Sequence, residues 1–333
     1  GFSYEGLSYS PAQIIKYLQW KLSSSTSQRP LIEPYYEGFK GTITKILDIK
    51  DALDTSKVYK KYLIKGVWKI LGVDKIQITE LPIGTWTDDY KKFLESIIDD
   101  SSAKKIKKKK QILKSYTDMS TDSEVDITLK LVPGAMQSML PKKTDYGCNQ
   151  LEKALGLYTT RTTTNMNLFD NRQKLKKYTN IYEIIEEYFD VRYKLYIERQ
   201  KHQILVLTKE MTKLSNKAKF IQEQCVEPPT LVLRKKKKAE VIKMLKDKNY
   251  DMIDGDKEYK YLRMMSIDSV EEENLQKLLN DHGNKKQELD ILKSKSTEEI
   301  WQGELVELSA KYSIYRNNRM IRASGVKKKK QKL

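Results

Sequence analysis

Between Ile181 and Cys225 the chain reads IYEIIEEYFDVRYKLYIERQKHQILVLTKEMTKLSNKAKFIQEQC, with no Pro, no Gly and apolar residues at three-four spacing. That period predicts one uninterrupted helix. Ile181, Ile184, Tyr188, Val191 and Leu195 form one stripe; Ile204, Leu207, Met211, Leu214, Ala218, Ile221 and Cys225 form a second, with a slip between Leu195 and Ile204 as at a stutter. At about 1.5 Å per residue such a helix runs to ~65 Å, so its stripe calls for a second long helix. Residues 269 to 295 supply one through Leu275, Leu278, His282, Leu289 and Leu292. The two segments are expected to pair antiparallel, joined by residues 226 to 268.

Earlier in the chain the period shortens. Ser10-Pro11 opens a helix with Ile14, Ile15 and Leu18 on one side, and Ser23 to Pro30 ends it as a polar loop. Thr42 to Leu47, Tyr62 to Leu71, Lys75 to Glu80 and Glu124 to Val132 read as strands. In the last, Val125, Ile127, Leu129 and Leu131 face one side while Glu124, Asp126, Thr128 and Lys130 face the other. Thr87 is the expected cap of a helix that turns Tyr90, Phe93, Leu94, Ile97 and Ile98 to the sheet, with Asp88 and Asp89 at the end where the dipole favours anions. A short helix around Gln150 to Gly156 and the polar stretch TTRTTTNMNLFD lead into the long helix.

Past the long helix, Glu227-Pro228-Pro229 is a stop. Thr230 to Leu233 reads as a short strand pairing with Tyr259 to Met265, and Lys238 to Asn249 as a small helix. Ser269 with Glu272 and Ser296 with Glu299 are capping boxes that start two return helices, the second carrying Trp301, Leu305 and Leu308. The expected fold is α+β: a mostly antiparallel sheet head, then a long antiparallel helical coiled coil with a small globular tip. Its divisions are 1–30 (connecting helix), 31–178 (head), 179–227 (ascending helix), 228–268 (tip), 269–322 (returning helices) and 323–333 (basic, disordered tail).

Charge adds a partner to this outline. Lys and Arg number 63 against 45 Asp and Glu, a net +18, which favours a polyanion and first of all nucleic acid. Lysine dominates, and lysine clusters gain affinity by counterion release without reading sequence. Lys104, Lys105, Lys107 and Lys108 are the leading candidates; Arg234 to Lys238, expected at the far end of the helical pair, reads as solvated surface, and Lys327 to Lys330 lies in the tail. No apolar run approaches the ~18 residues of a membrane helix and no signal peptide opens the chain. Cys148, Cys225, His202 and His282 lack the spacing of a zinc site and fit a reducing compartment; both histidines read as packing residues near the seams. Asp254-Gly255-Asp256, with Asp251 and Glu258 nearby, has D-x-D spacing but completes no metal fingerprint and reads as a turn. No phosphate-cradling GxxxxGK[ST] loop is present.

Several stretches carry a resemblance. IQITELPIGTW, Ile76 to Trp86, resembles the strand-turn-helix segment of type IIA DNA topoisomerases, most closely the eukaryotic topoisomerase II branch. PYYEGFKGTI at Pro34 to Ile43 is similar to that family's P-x-Y-x-x-F-x-G-T-I entry, and KYLIKGVWKIL follows it at the family's distance. NMNLFD with LKKY, Asn165 to Tyr178, resembles its passage from head to stalk, KQELDILKSKSTEEIW, Lys286 to Trp301, its broken return helix, and Gly1-Phe2-Ser3 the G-W-S after its winged-helix domain.

The collinear resemblance implies the C-terminal part of the cleavage core: the end of the winged-helix region, the tower as the head, the coiled coil, and a dimeric C-gate at the tip. It implies a strand-passage enzyme whose nucleophilic tyrosine, magnesium-binding acids and ATP site precede Gly1; none of the tyrosines here is taken to stand in the family's Arg-Tyr context. No cofactor is then expected in this fragment, with ATP and Mg2+ serving the whole enzyme. Its expected partners are double-stranded DNA and a second copy of the chain, with no membrane, in a nucleus or, for a viral chain, the host cell or virion. Lys40, Arg161 and Arg172 lie in or beside the family-like motifs and join the DNA candidates. Tyr259, Tyr261, Leu262, Met264, Met265 and Ile267 are the gate candidates, methionine suiting a contact that opens and closes. Charge and heptads alone would equally suit a non-enzymatic, DNA-tethering coiled-coil scaffold.

Overall fold

The computed structural model describes residues 2–24, 26–50, 58–99, 112–233, 235–265 and 272–323. They fall into two compact units, residues 1–189 with 305–333, and residues 190–304. In chain order the first unit holds α1 (Pro11–Leu22), β1 (Thr42–Lys50), β2 (Val58–Lys65), β3 (Val67–Gly72), β4 (Lys75–Glu80), α2 (Thr87–Asp99), β5 (Leu113–Asp118), β6 (Ile127–Leu131), α3 (Ala135–Met139), α4 (Gln150–Ala154), β7 (Tyr158–Thr162), β8 (Asn167–Phe169) and β9 (Leu175–Lys177). Among the described residues these strands make sheets of order β1-β2-β7, β3-β4-β6-β5 and β8-β9, every pairing antiparallel.

The second sheet carries the core. Alternation buries Ile76 and Ile78 of β4 and Ile127, Leu129 and Leu131 of β6, and Tyr90 and Leu94 of α2 join the same cluster. The cap of α2 sits one residue earlier than expected, since the Trp86 carbonyl accepts from the Tyr90 N–H, and Phe93 is exposed rather than turned fully to the sheet.

Tyr62 to Leu71 is not one strand. The chain breaks at Gly66 into β2 and β3, which belong to different sheets. The Gly66 N–H donates to the Leu157 carbonyl, and a Cβ at this position would sit 2.3 Å from the Glu80 carbonyl oxygen, so only glycine lets the backbones approach. One buried carboxylate straddles the break. Glu152, 5% exposed, ion-pairs with Lys65 of β2 at 2.7 Å and accepts from Trp68 Nε1 of β3 at 3.3 Å. It also closes a capping box with Asn149 that starts α4.

The long helix is continuous: α5 (Ile181–Cys225) has 45 residues. Its seam differs from the expected one in the first half. Tyr188 and Leu195 are 53% and 47% exposed, and the buried line is Tyr182, Ile185, Phe189 and Tyr196, with Tyr193, Gln200 and Ile204 half-buried between it and Leu207. Each inward residue lies one position on from an expected one: Tyr182 for Ile181, Ile185 for Ile184, Phe189 for Tyr188 and Tyr196 for Leu195. The expected stutter between Leu195 and Ile204 remains: the steps run 182, 185, 189, 193, 196, 200, 204, then 207, 211, 214, 218 and 221, with successive fours at 185–189–193 and 196–200–204, an eleven-residue period that passes into a heptad.

The remaining helices are α6 (Lys238–Asp247), α7 (Lys260–Arg263), α8 (Glu272–Ser294) and α9 (Thr297–Ala323). In the second unit, Gln200 Nε2 of α5 donates to the Leu292 and Lys295 carbonyls, Tyr196 stacks on Trp301 at 4.8 Å, and Glu210 pairs with Lys285 at 3.1 Å. Rising numbers in α5 meet falling numbers in α8, so the pair is antiparallel as expected. Leu275, Leu278, His282 and Leu292 are half-buried and Leu289 is buried. Farther along, a cleft of about 400 Å³ opens between Leu214 and Lys217 on one side and Asp281 and Asn284 on the other. The Ser296–Glu299 capping box forms; Ser269 lies outside the described residues.

The tip has its own core of Phe220, Leu231, Val241, Leu245, Tyr250, Tyr259 and Leu262. The expected strand pair is absent among its described residues. Leu231 enters the core from an irregular segment, and residues 260–263 are the short helix α7, because the Asp256 carboxylate accepts from the Glu258 and Lys260 N–H groups and fixes a turn.

Candidate nucleic-acid interface

Two of the basic candidates lie along the end of β4 and the turn that follows it, Lys40 beside Glu80 and Arg161 beside Gly84. Lys40 donates its backbone N–H to Glu80 Oε2, and its ammonium lies 3.2 Å from Glu124. Arg161 of β7 lies in the same neighbourhood: a Cβ at Gly84 would sit 2.9 Å from its guanidinium. Gly84 is left-handed at φ +89°, which frees that space, and the exposed Trp86 follows it. Lys40 is therefore partly neutralised and Arg161 is the more available cation.

Arg172 lies in the β8-β9 turn. Asp170 Oδ1 accepts from the Arg172 and Lys174 N–H groups at 2.8 Å each, which holds both side chains out to solvent and draws the Asp170 carboxyl below its ordinary range. Lys174 was missed by sequence reasoning, and its spacing of two from Arg172 in a turn is the signal that points to it. Several other lysines of this unit are held by acids, among them Lys45 by Asp48, Lys65 by Glu152, Lys91 by Asp88 and Asp118, Lys153 by Asp145 and Lys176 by Glu187. Lys104, Lys105, Lys107, Lys108 and the terminal Lys327 to Lys330 lie outside the described residues.

The gate candidates separate into inside and outside. Tyr259 and Leu262 are fully buried in the tip core, and Met265 packs partly against it. The Tyr261 hydroxyl donates to the Asp251 carbonyl and accepts from Asn216 Nδ2. Met264 is 80% exposed, with Val232 and Met252 of the same unit also exposed; Ile267 lies outside the described residues.

An Arg-Tyr dipeptide does occur, at Arg192-Tyr193, contrary to the sequence reading. Its tyrosine hydroxyl donates to Glu298 and ties α5 to α9, a structural role. Asp254 pairs with Lys209 and Asp256 caps its turn, so this D-x-D does not fit a divalent cation; among the described residues no three His, Cys, Asp or Glu gather as a metal requires. No described helix is long and apolar enough to cross a membrane.

Against known proteins, residues 1–306 match the family model for the A subunit of DNA gyrase/topoisomerase IV. DNA topoisomerase 2 of Penicillium chrysogenum is 30% identical over 92% of this chain and 19% of its own length, and DNA topoisomerase 2 of Acanthamoeba polyphaga mimivirus 28% identical over 94% and 28%. Among solved structures, the Plasmodium falciparum topoisomerase II DNA-binding, cleavage and re-ligation domain superposes with a TM-score of 0.75 at 29% identity, covering 96% of this chain and 43% of that one. The chain thus spans from about a fifth to a little over a quarter of these two relatives' lengths.

Proposed function

Since the chain belongs to the family of the DNA gyrase/topoisomerase IV A subunits, on the side of the type II DNA topoisomerases of eukaryotes and a large virus, we propose that it is the tower, coiled coil and exit gate of such an enzyme. In that role it supports the bent, cut duplex through unit one and forms a two-fold contact through the tip, where the transported duplex leaves. ATP and Mg2+ act in the whole enzyme; no step here runs through residues of this chain, whose part is to bind and position DNA. The place of action is the nucleus or, for a viral enzyme, the infected cell. The observation that carries the reading is the match over residues 1–306, which takes in both units and leaves little room for a non-enzymatic scaffold.

Within unit one, Arg161, Arg172 and Lys174 are assigned to phosphates of the duplex. They are exposed, offer no base-reading constellation, and sit on turns or strand ends that fix their backbones. Titrating the chain with a fluorescent duplex at rising salt tests this. Replacing all three by Ala is expected to weaken every sequence alike and to flatten the slope of log affinity against log salt by about 3, near 0.9 for each phosphate no longer neutralised. An unchanged slope, or a strong preference for one sequence, refutes the assignment.

A further inference from the structure

Residues 231–250, in the tip, carry eight Lys or Arg and two acidic residues. The fold determines where those charges point. Val241 and Leu245 anchor α6 to the tip core, which leaves Lys243 and Lys246 on the outward side, one turn apart, and Lys235, Lys236 and Lys237 are exposed on the segment entering that helix. Lys238 pairs with Glu258 and Lys248 with Glu223. Among the described residues none of Lys235, Lys236, Lys237, Lys243 and Lys246 is in an ion pair; Glu240 and Asp247 lie within a turn of Lys236, Lys237 and Lys243 on the exposed side of α6 and offset part of the charge, which leaves the surface in cationic excess.

The run does not serve the helix it precedes. Cations at a helix start oppose the macrodipole, at a cost of several tenths of a kcal/mol or more, and Lys237 in the cap position provides no side-chain cap. Solvation alone gives no reason to concentrate five such ammonium groups on the outside of a small core. A polyanion does, because each phosphate neutralised releases a condensed counterion. The cations are lysines only, spread along an exposed segment and one helix face. That is the pattern of backbone gripping; an acidic peptide would find no arginine fork among these five cations, and competition with polyglutamate separates the two ligands.

We propose that the tip carries a second duplex-DNA-binding surface, made by Lys235, Lys236, Lys237, Lys243 and Lys246, that grips the phosphate backbone without sequence preference and is separate from the surface on unit one. It rests on the reading that this chain handles duplex DNA, and it gives the tip a task beyond self-contact: to hold the departing duplex as the exit opens. It also sets the sign of a coupling. Two like-charged tips repel, and the repulsion is relieved by salt or by a duplex lying along both.

The test uses the full chain and a 20-base-pair fluorescent duplex, at about 50 mM and about 200 mM salt, where phosphate-dominated binding changes most. The variant replaces all five lysines by Gln; these exposed sites leave the tip core intact, which retained helicity and melting check. Affinity at the lower salt is expected to fall at least tenfold and the salt slope to flatten by about 4.5, as five phosphates at ~0.9 each predict. Hydrogen exchange at residues 235–247 is expected to slow when the duplex is added to the wild type. If the five-lysine variant keeps wild-type affinity and slope while the unit-one triple variant loses them, the tip surface is refuted and the unit-one reading stands. If neither variant changes binding, both fail. Polyglutamate competing as well as duplex of equal charge overturns the assignment to DNA.

Discussion

Replacing Glu152 by Ala removes the group that joins β2 to β3 across Gly66. The side chain is 7% exposed, pairs with Lys65 at 2.7 Å and accepts from Trp68 Nε1 and the Asn149 N–H. Alanine leaves two donors and a two-thirds buried ammonium without their acceptor; loss of one partner of a buried pair costs about 3–5 kcal/mol, and the water reaching Lys65 lowers the expectation to about 3 kcal/mol. Gln keeps one acceptor oxygen, for either Trp68 Nε1 and Lys65 or the Asn149 N–H, and turns its NH2 to the other, so with the charge also lost about 2 kcal/mol is expected, less than for Ala. Burial pushes the Glu152 carboxyl up, but Lys65, the Asn149 N–H and Trp68 together outweigh it and hold the group below its ordinary value. The stabilisation is therefore fully present above the unfolded-state value and is lost as pH falls through the folded one, so the wild type's advantage over the Gln variant shrinks in acid. Urea unfolding read at the Trp68 indole N–H, one of four indole signals, confines the measurement to unit one, as a chain of two units requires. An Ala variant within about 0.5 kcal/mol of wild type, the range of ordinary surface substitutions, refutes the reasoning, as does a Gln penalty that stays constant down to about pH 3, below the ordinary glutamate range.

Two further outcomes follow from the geometry. Gly66→Ala drives a Cβ into the Glu80 carbonyl and is expected to destabilise unit one by about 1–3 kcal/mol; melting that matches wild type contradicts it. Met264→Glu, at the exposed edge of the tip, is expected to weaken self-association in sedimentation at tens of micromolar without loss of helicity; a variant that associates as the wild type does moves the contact surface elsewhere.

How much of this was legible depended on whether period or partner decided the outcome. The long helix, its partner and the β4 and β6 strands follow from apolar spacing alone, and all appear. The inward face of α5 did not, because Tyr182 and Phe189 compete with Ile184 and Val191 at neighbouring angles and the choice falls to what packs there, Tyr17 and the Pro30–Ile32 backbone against Tyr182 and Lys21 over Phe189. β7, reading TTRT within a polar stretch, becomes a strand because β2 offers it an open edge, which sequence does not display. At the site, Arg161 and Arg172 came from likeness to family motifs, while the availability of their charges depends on Gly84 and Asp170. The tip lysines looked like an ordinary solvated run until the core fixed which side of α6 faces out.

The break at Gly66 also constrains how the gene can change length. β2 is in register with β1 and β7, and β3 with β4, yet Gly66 alone separates them in the chain. A single codon lost or gained in β2 between Tyr62 and Lys65 shifts that strand by one position against its partners and so exchanges the faces to which the buried Tyr62, Leu63 and Ile64 point. The nearest turn, Val73-Asp74, lies beyond β3, whose pairing with β4 already shifts register twice. In an alignment of relatives, the run from Tyr62 to Lys65 should be a stretch without gaps, even where the sequence itself drifts.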